Sequence, residues 1–195
     1  SFIHAGITKG TCIIYPSQTF HIPLEYLYQT LHASIKTPLL KYNPGSKLEK
    51  IIRLYTESST NKGDKLPYLE KSKIMKLIRS MAPDKRISIF IELNNDDEEW
   101  YCDIKSSGEI SISFSFTHPK QEEDIAKIIT KQINPTILPI QQYLKPFGYS
   151  VPIFNSFKDR NTECRNITYE CNIDVKKNID IKKHYGCLSH LFNLT

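Results

Sequence analysis

Residues 86–148 read RISIFIELNNDDEEWYCDIKSSGEISISFSFTHPKQEEDIAKIITKQINPTILPIQQYLKPFG, and this stretch decides the fold. Ile87, Ile89 and Ile91 alternate with Ser88, Phe90 and Glu92. Trp100, Cys102 and Ile104 alternate with Tyr101 and Asp103. Ile110, Ile112, Phe114 and Phe116 alternate with Ser111, Ser113 and Ser115. Period-two alternation of β-branched and aromatic residues predicts three strands that each bury one face and leave the other polar, the habit of an antiparallel sheet. Asn94 to Asp97 reads as an acidic turn. Ser106-Ser107-Gly108 reads as a hairpin turn, with Gly108 supplying a positive φ. A long helix is expected next. Thr117 is the expected cap, Pro119 suits the first turn, and Glu122, Glu123 and Asp124 favour the positive end of the helix dipole. Ile125, Ile128, Ile129, Ile133, Ile137, Ile140 and Leu144 recur at helical spacing. Pro135 and Pro139 predict a kink or split near Asn134, and Gly148 a stop.

Upstream, Thr11 to Phe20 reads as a strand with Pro16 near a bend or edge, and residues 23–33 as a helix presenting Leu24, Leu27, Tyr28 and Leu31. The run containing Ile51, Ile52, Leu54 and Tyr55 fits either period and is read as a short helix. Residues 57–65 read as a polar loop, and residues 71–81 as a helix carrying Ile74, Leu77, Ile78 and Met81. Downstream, Ile167, Tyr169, Cys171, Ile173 and Val175 are expected to point inward from a strand, followed by a helix over 182–194. Three regions result: a basic mixed region over 1–85, a strand–strand–strand–helix core over 86–150, and a strand plus helix over 151–195.

The chain has 195 residues, enough for a core without disulfide staples. It carries 26 Lys and Arg against 21 Asp and Glu, unevenly placed: 14 basic and 6 acidic side chains fall in residues 1–86, and the remaining 12 and 15 in residues 87–195. A basic half is suited to nucleic acid or another acidic partner, or it is a solvated lysine face. Lys71, Lys73, Lys76 and Arg79 on the predicted helix, with Lys62, Lys65, Lys85 and Arg86 nearby, are the candidate phosphate contacts. Abundant Ile, Lys and Asn, with Val only at 151 and 175, point to an AT-rich genome.

Five cysteines, at 12, 102, 164, 171 and 187, are an odd number, and Cys102 sits on an apolar strand face, which reads as a reducing compartment. No stretch approaches membrane-spanning length, no secretory leader is visible, and a chain opening on Ser1 reads as an excised segment. His184, Cys187 and His190, with Cys164 and Cys171, lack the doubled short spacing of zinc ligands, so no metal is expected. A cysteine nucleophile would need a signature that is missing. Asp96, Asp97, Glu98 and Glu99 are consecutive in a turn, whereas acid–base pairs oppose one another across a cleft. The few glycines do not make a phosphate loop, so no cofactor is expected either.

The strand–strand–strand–long-helix order across 86–148 resembles one half of a TATA-box-binding-protein saddle. GTCIIYPSQTF with IPLEYLYQTL would open that half, and NITYECNIDV with KKHYGCLSHLFNL would open a second. The stretch EWYCDIKSSGEISISF is similar to the TATA-binding-like proteins of nucleocytoplasmic large DNA viruses, and the KYNPG, RLYTES and LPYLEK runs are similar to large giant-virus proteins. Such saddles bend DNA with an apolar face and inserted Phe wedges. Here Phe90 is the one candidate wedge on a face otherwise offering Ser88, Tyr101, Ser111, Ser113 and Ser115. The resemblance implies an α+β fold with helices on one face of an antiparallel sheet, in a half-saddle topology. It implies a non-enzymatic DNA-associated protein, with other viral proteins as partners, self-association open, and the virion or a cytoplasmic viral factory as its place. The alternative reading is a virion assembly module binding protein through the sheet face or edge.

Overall fold

The computed structural model describes residues 3–45, 51–59, 63–79 and 85–173. Seven strands form one antiparallel sheet: β1 (Ile3–Ile14), β2 (Leu39–Asn43), β3 (Ile51–Leu54), β6 (Arg86–Ile91), β7 (Glu98–Lys105), β8 (Ile110–Lys120) and β9 (Thr162–Ile173). A separate hairpin pairs β4 (Thr56–Ser58) with β5 (Lys65–Pro67). The order across the sheet is β3-β2-β6-β7-β8-β1-β9. All three sequence regions therefore contribute strands to one sheet.

The three central strands follow the alternation of the sequence. Ile87, Ile89, Ile91, Trp100, Cys102, Ile104, Ile112 and Phe114 are all buried on one face. Helix α1 (Leu24–Thr30) covers it with Leu24, Leu27 and Tyr28. The segments after β8 cover the rest: α3 (Glu122–Ile128), a π-helical turn over Ile129–Ile133, α4 (Asn134–Ile137), a 3-10 turn, and α5 (Gln141–Leu144). The split expected near Asn134 takes the form of a change of helix type, the backbone staying helical there at φ −52° and ψ −48°. A proline at 135 donates no backbone hydrogen bond, and the wider π turn sits directly before it. Gly148 ends the run in the left-handed conformation, at φ 71°. Gly108 takes φ 93° in the β7–β8 turn, where the Tyr149 hydroxyl donates to its carbonyl at 2.5 Å and closes the long helical run against the hairpin.

Several expectations are corrected. The helices do not all pack on one face: α2 (Lys71–Arg79) lies on the opposite face and packs Ile74 and Leu77 against Leu39, Leu69 and Phe90. Phe90, the expected wedge, is 1% exposed beneath that helix, and Ser88 and Ser111 are buried with it. The Ile51 run forms β3, because it pairs with β2 from Leu39↔Leu54 to Tyr42↔Ile51. The polar loop over 57–65 includes strand residues of β4 and β5. The first strand begins at Ile3 rather than Thr11 and ends at Ile14. Thr117 and Pro119 belong to β8, not to a helix start. The β1–β8 register jumps from Lys9↔Ser115 to Ile7↔Lys120, and residues 116–119 occupy the bulge, where a proline forfeits no ladder bond. Ile167 lies over Gly10 beside Phe114 on the apolar face, as expected, but on the outermost strand it stays 42% exposed. Val175 and the helix expected over 182–194 lie outside the described residues, as do Met81, His184, Cys187 and His190. Among the described residues no helix is long and apolar enough to cross a membrane.

Candidate nucleic-acid interface

Strand alternation puts every second side chain on the face that α2 half covers. Lys9 and Thr11 of β1, Ser113 and Ser115 of β8, and Tyr101 and Asp103 of β7 share it, through the registers Lys9↔Ser115, Thr11↔Ser113 and Tyr101↔Ser113. Helix α2 sits over β2 and β6 and stops short of β1. The uncovered part is a cleft of about 570 Å³, walled by Lys76 on the helix side and Lys9 and Thr11 on the other. Its cations are Lys9, Lys41, Lys76 and Arg86, against the carboxylates of Glu99 and Asp103. Hydroxyls make up much of the remainder, and Thr11 and Ser113 share a hydrogen bond of 3.1 Å across β1 and β8.

Each cation is held differently. Lys41 is 2% exposed, and its Nζ donates to the Leu77 carbonyl at 2.5 Å. That carbonyl belongs to the last turn of α2, the negative end of the helix dipole, where a cation is favoured. Arg86 donates to Asp103 Oδ2 at 2.9 Å, both side chains being largely buried. Its cross-strand neighbour is Lys105, which pairs with Glu109 at 3.6 Å. Lys76 reaches down from α2 to Glu99 at 2.8 Å, with its side chain 68% exposed. An exposed pair of this kind is worth roughly 0–1 kcal/mol, so a phosphate oxygen can replace Glu99 as its partner at small cost. Lys9 stands exposed at the rim.

The candidate residues divide. Lys71, Lys73, Lys76 and Arg79 spread over an arc of about 200° around the helix axis, since each residue turns the helix by about 100°. Lys73 leans onto the sheet, paired with Glu92 at 3.4 Å and set over the Phe90 ring at 5.2 Å. Lys76 leans towards the cleft, while Lys71 and Arg79 face solvent. Lys65 is exposed on β5, and Lys85 is exposed beside Arg86 at the start of β6. Lys62 lies outside the described residues. The fold thus brings together Lys76 and Arg86 and adds Lys9 and Lys41, which the charge count alone did not single out. Their signals were local: Lys9 has the strand parity of Thr11, and Lys41 interrupts the apolar run LLKYN.

The cleft has a polarity along its length. The 94–97 turn closes one end, and a smaller cavity of about 140 Å³ there joins Asp96 and Asp97 to Lys76 and Glu99. Arg86 and Lys41 mark the other end, so an anion is favoured there and towards Lys9. Among the described residues no three His, Cys, Asp or Glu side chains gather as metal ligands would. No protein-family model, curated protein or solved structure matches this chain.

Proposed function

We propose that this chain is a non-enzymatic DNA-associated protein of a large DNA virus that holds phosphodiester backbone in the cleft between α2 and β1. The observation that carries the reading is the cleft's make-up: four cations against two carboxylates, set among the hydroxyls of Thr11, Ser113, Ser115 and Tyr101. Lysine, arginine, and serine, threonine and tyrosine hydroxyls are the side chains that hold phosphate oxygens, and they fix position without reading sequence. Viral origin rests on the sequence resemblance and the Ile-, Lys- and Asn-rich composition.

The half-saddle reading is supported by chain order: β1 and α1 open the unit, and β6, β7, β8 and the long helical run follow in the same sheet. Burial of Phe90 takes away its only proposed wedge, so binding here depends on charge and hydroxyl donors rather than on unstacking bases. A second reading, a virion assembly module, draws support from β3. It ends the sheet, and Ile51 on it is 50% exposed.

Titration of the protein with duplex and single-stranded DNA at several salt concentrations separates the two. The DNA reading expects affinity to fall steeply with salt. Lys9→Ser with Lys76→Ser should flatten the logarithmic slope by about 1 for each phosphate left without its cation, and Lys71→Ser with Arg79→Ser should flatten it less. Absence of binding at low salt would sink the proposal. Salt-insensitive self-association, abolished by Ile51→Lys, would put the assembly module in its place.

A further inference from the structure

The register of β9 against β1 sets Cys164 directly opposite Cys12. Residues directly opposed across an antiparallel pair share a face, with Cα atoms about 4.5 or 5.5 Å apart. Both separations fall inside the span a disulfide accepts, about 4.4–6.8 Å. Both thiols are free, and the Cys12 S–H donates to the Cys164 sulfur. The two differ in access: Cys12 is fully buried in the main core, whereas Cys164 is exposed on the outermost strand. We propose that Cys12 and Cys164 form a reversible dithiol–disulfide couple, entered through Cys164 by a small disulfide such as oxidised glutathione, that fastens the edge strand β9 to β1.

The chemistry runs in two exchanges. The Cys164 thiolate attacks one sulfur of glutathione disulfide, forms a mixed disulfide and releases one glutathione thiolate. Cys12 then gives up its proton and attacks the Cys164 sulfur, and the second glutathione leaves. The two protein thiols are oxidised, the glutathione disulfide is reduced to two glutathiones, and the two thiol protons end on them. The hydrogen bond from Cys12 favours this order. It holds the Cys164 thiol below its usual value against the opposing effects of burial and of the Glu122 and Glu163 carboxylates, and it keeps Cys12 protonated until it acts.

Among the described residues no other thiol competes. Cys102 and Cys12 both pair with Ile112, from opposite sides of β8, so they lie two strands apart, about 10 Å, beyond disulfide reach. Cys171 is already disulfide-bonded and stands seven residues along the same strand from Cys164. The link would close at a functional place, because Thr11, the neighbour of Cys12, lines the cleft, and the β1–β9 register slips between Lys9 and Thr11.

The test equilibrates the whole chain at graded ratios of oxidised to reduced glutathione, caps remaining thiols with N-ethylmaleimide, and maps peptides by mass spectrometry without reduction. The expected product is an intramolecular Cys12–Cys164 link with Cys102 alkylated after denaturation. The midpoint of thermal unfolding should rise by about 5 °C or more. Cys164→Ser, a change at an exposed site, should show no such rise. Glutathione that persists on Cys164, a Cys164–Cys164 dimer, exchange with Cys171, or two thiols still reduced at the most oxidising ratio would each overturn the proposal.

Discussion

On one face of β6, β7 and β8 the side chains are Ile, Trp, Cys and Phe, closed over by α1 and the long helical run. On the other they are Arg, Ser, Phe, Glu, Tyr and Asp, with a nine-residue helix covering only part of them and burying Phe90 in a smaller apolar cluster. The first face is filled by dispersion and burial. The second contains charges that are buried or half-buried, each with a partner: Lys41 at the end of α2, Arg86 on Asp103, Lys73 on Glu92. Buried pairs of that kind add little to stability compared with apolar residues of the same volume. The apolar face therefore carries most of the stability, and the other face, beside its smaller apolar cluster, carries charged groups that a fold alone would not need.

Truncation on the apolar face should cost most. Trp100 is 1% exposed and packs on Phe114 and Phe116 with centroids 5.5 and 5.4 Å away. Trp100→Ala should lose about 3–5 kcal/mol in urea unfolding, whereas Ser113→Ala on the opposite face should stay within about 0.5 kcal/mol. Equal losses would erase the contrast between the faces.

Breaking a charge pair on the polar face should come second. Arg86→Met takes the guanidinium away from Asp103, whose side chain is 17% exposed, and the loss should be about 1–3 kcal/mol, below the range for fully dry pairs because water still reaches the carboxylate. Arg86→Met with Asp103→Leu should recover most of it. A double variant as unstable as the single one would show that Arg86 matters through packing rather than charge.

How much of this was legible in the sequence follows the same division. Alternation in residues 86–116 placed the apolar face correctly, since Ile87, Trp100 and Phe114 repeat every second residue and need only one covering layer. The same alternation made Ser88 and Phe90 look exposed. Period two cannot reveal that a second helix, from residues 71–79, covers the other side. Ile51 and Ile52 were ambiguous because four residues fit either period, and pairing with β2 decided the matter. The basic excess was visible. Its division between solvent, sheet carboxylates and cleft was not, because that division depends on registers joining Lys9, Lys41 and Arg86 across distant strands.

Lys41 sharpens the comparison, because stability and binding should respond to it in opposite directions. Lys41→Met removes a cation that is 2% exposed and keeps most of the volume. The unfolding midpoint should stay level or rise, since the desolvation of a buried charge is relieved. DNA affinity should fall, because a positive charge beneath the cleft is lost, with the salt slope changed less than by Lys9→Ser or Lys76→Ser. A large loss of stability with unchanged binding would reassign Lys41 to holding α2 on the sheet.

The smallest effect belongs to the sheet's outer edge, where neither face is deeply covered. Arg165 donates to both carboxylate oxygens of Glu163, at 2.8 and 3.2 Å, and the Tyr15 hydroxyl donates to Oε2 at 2.6 Å. Arg165 first, then Tyr15, hold the Glu163 carboxyl below its ordinary value of 4.5, and the Glu163 carboxylate in turn pushes the Tyr15 hydroxyl up. A carboxyl depressed in the folded state binds its proton more readily when unfolded. Its contribution is therefore complete above pH 4.5 and fades as the pH falls through the lower folded value. The Glu163 side chain is 44% exposed, and solvent screens its pairing, so the effect should be confined to β9 and too weak to move global unfolding. Amide exchange of residues 162–166, measured at pH 6 and again near pH 3, should quicken with acid beyond the intrinsic rate in the native chain. In Glu163→Gln it should already be quick at the higher pH and gain little more. Identical acid responses in the two chains would show that the triad does not fasten the edge, leaving the β1–β9 ladder and the Cys12–Cys164 pair to hold that strand.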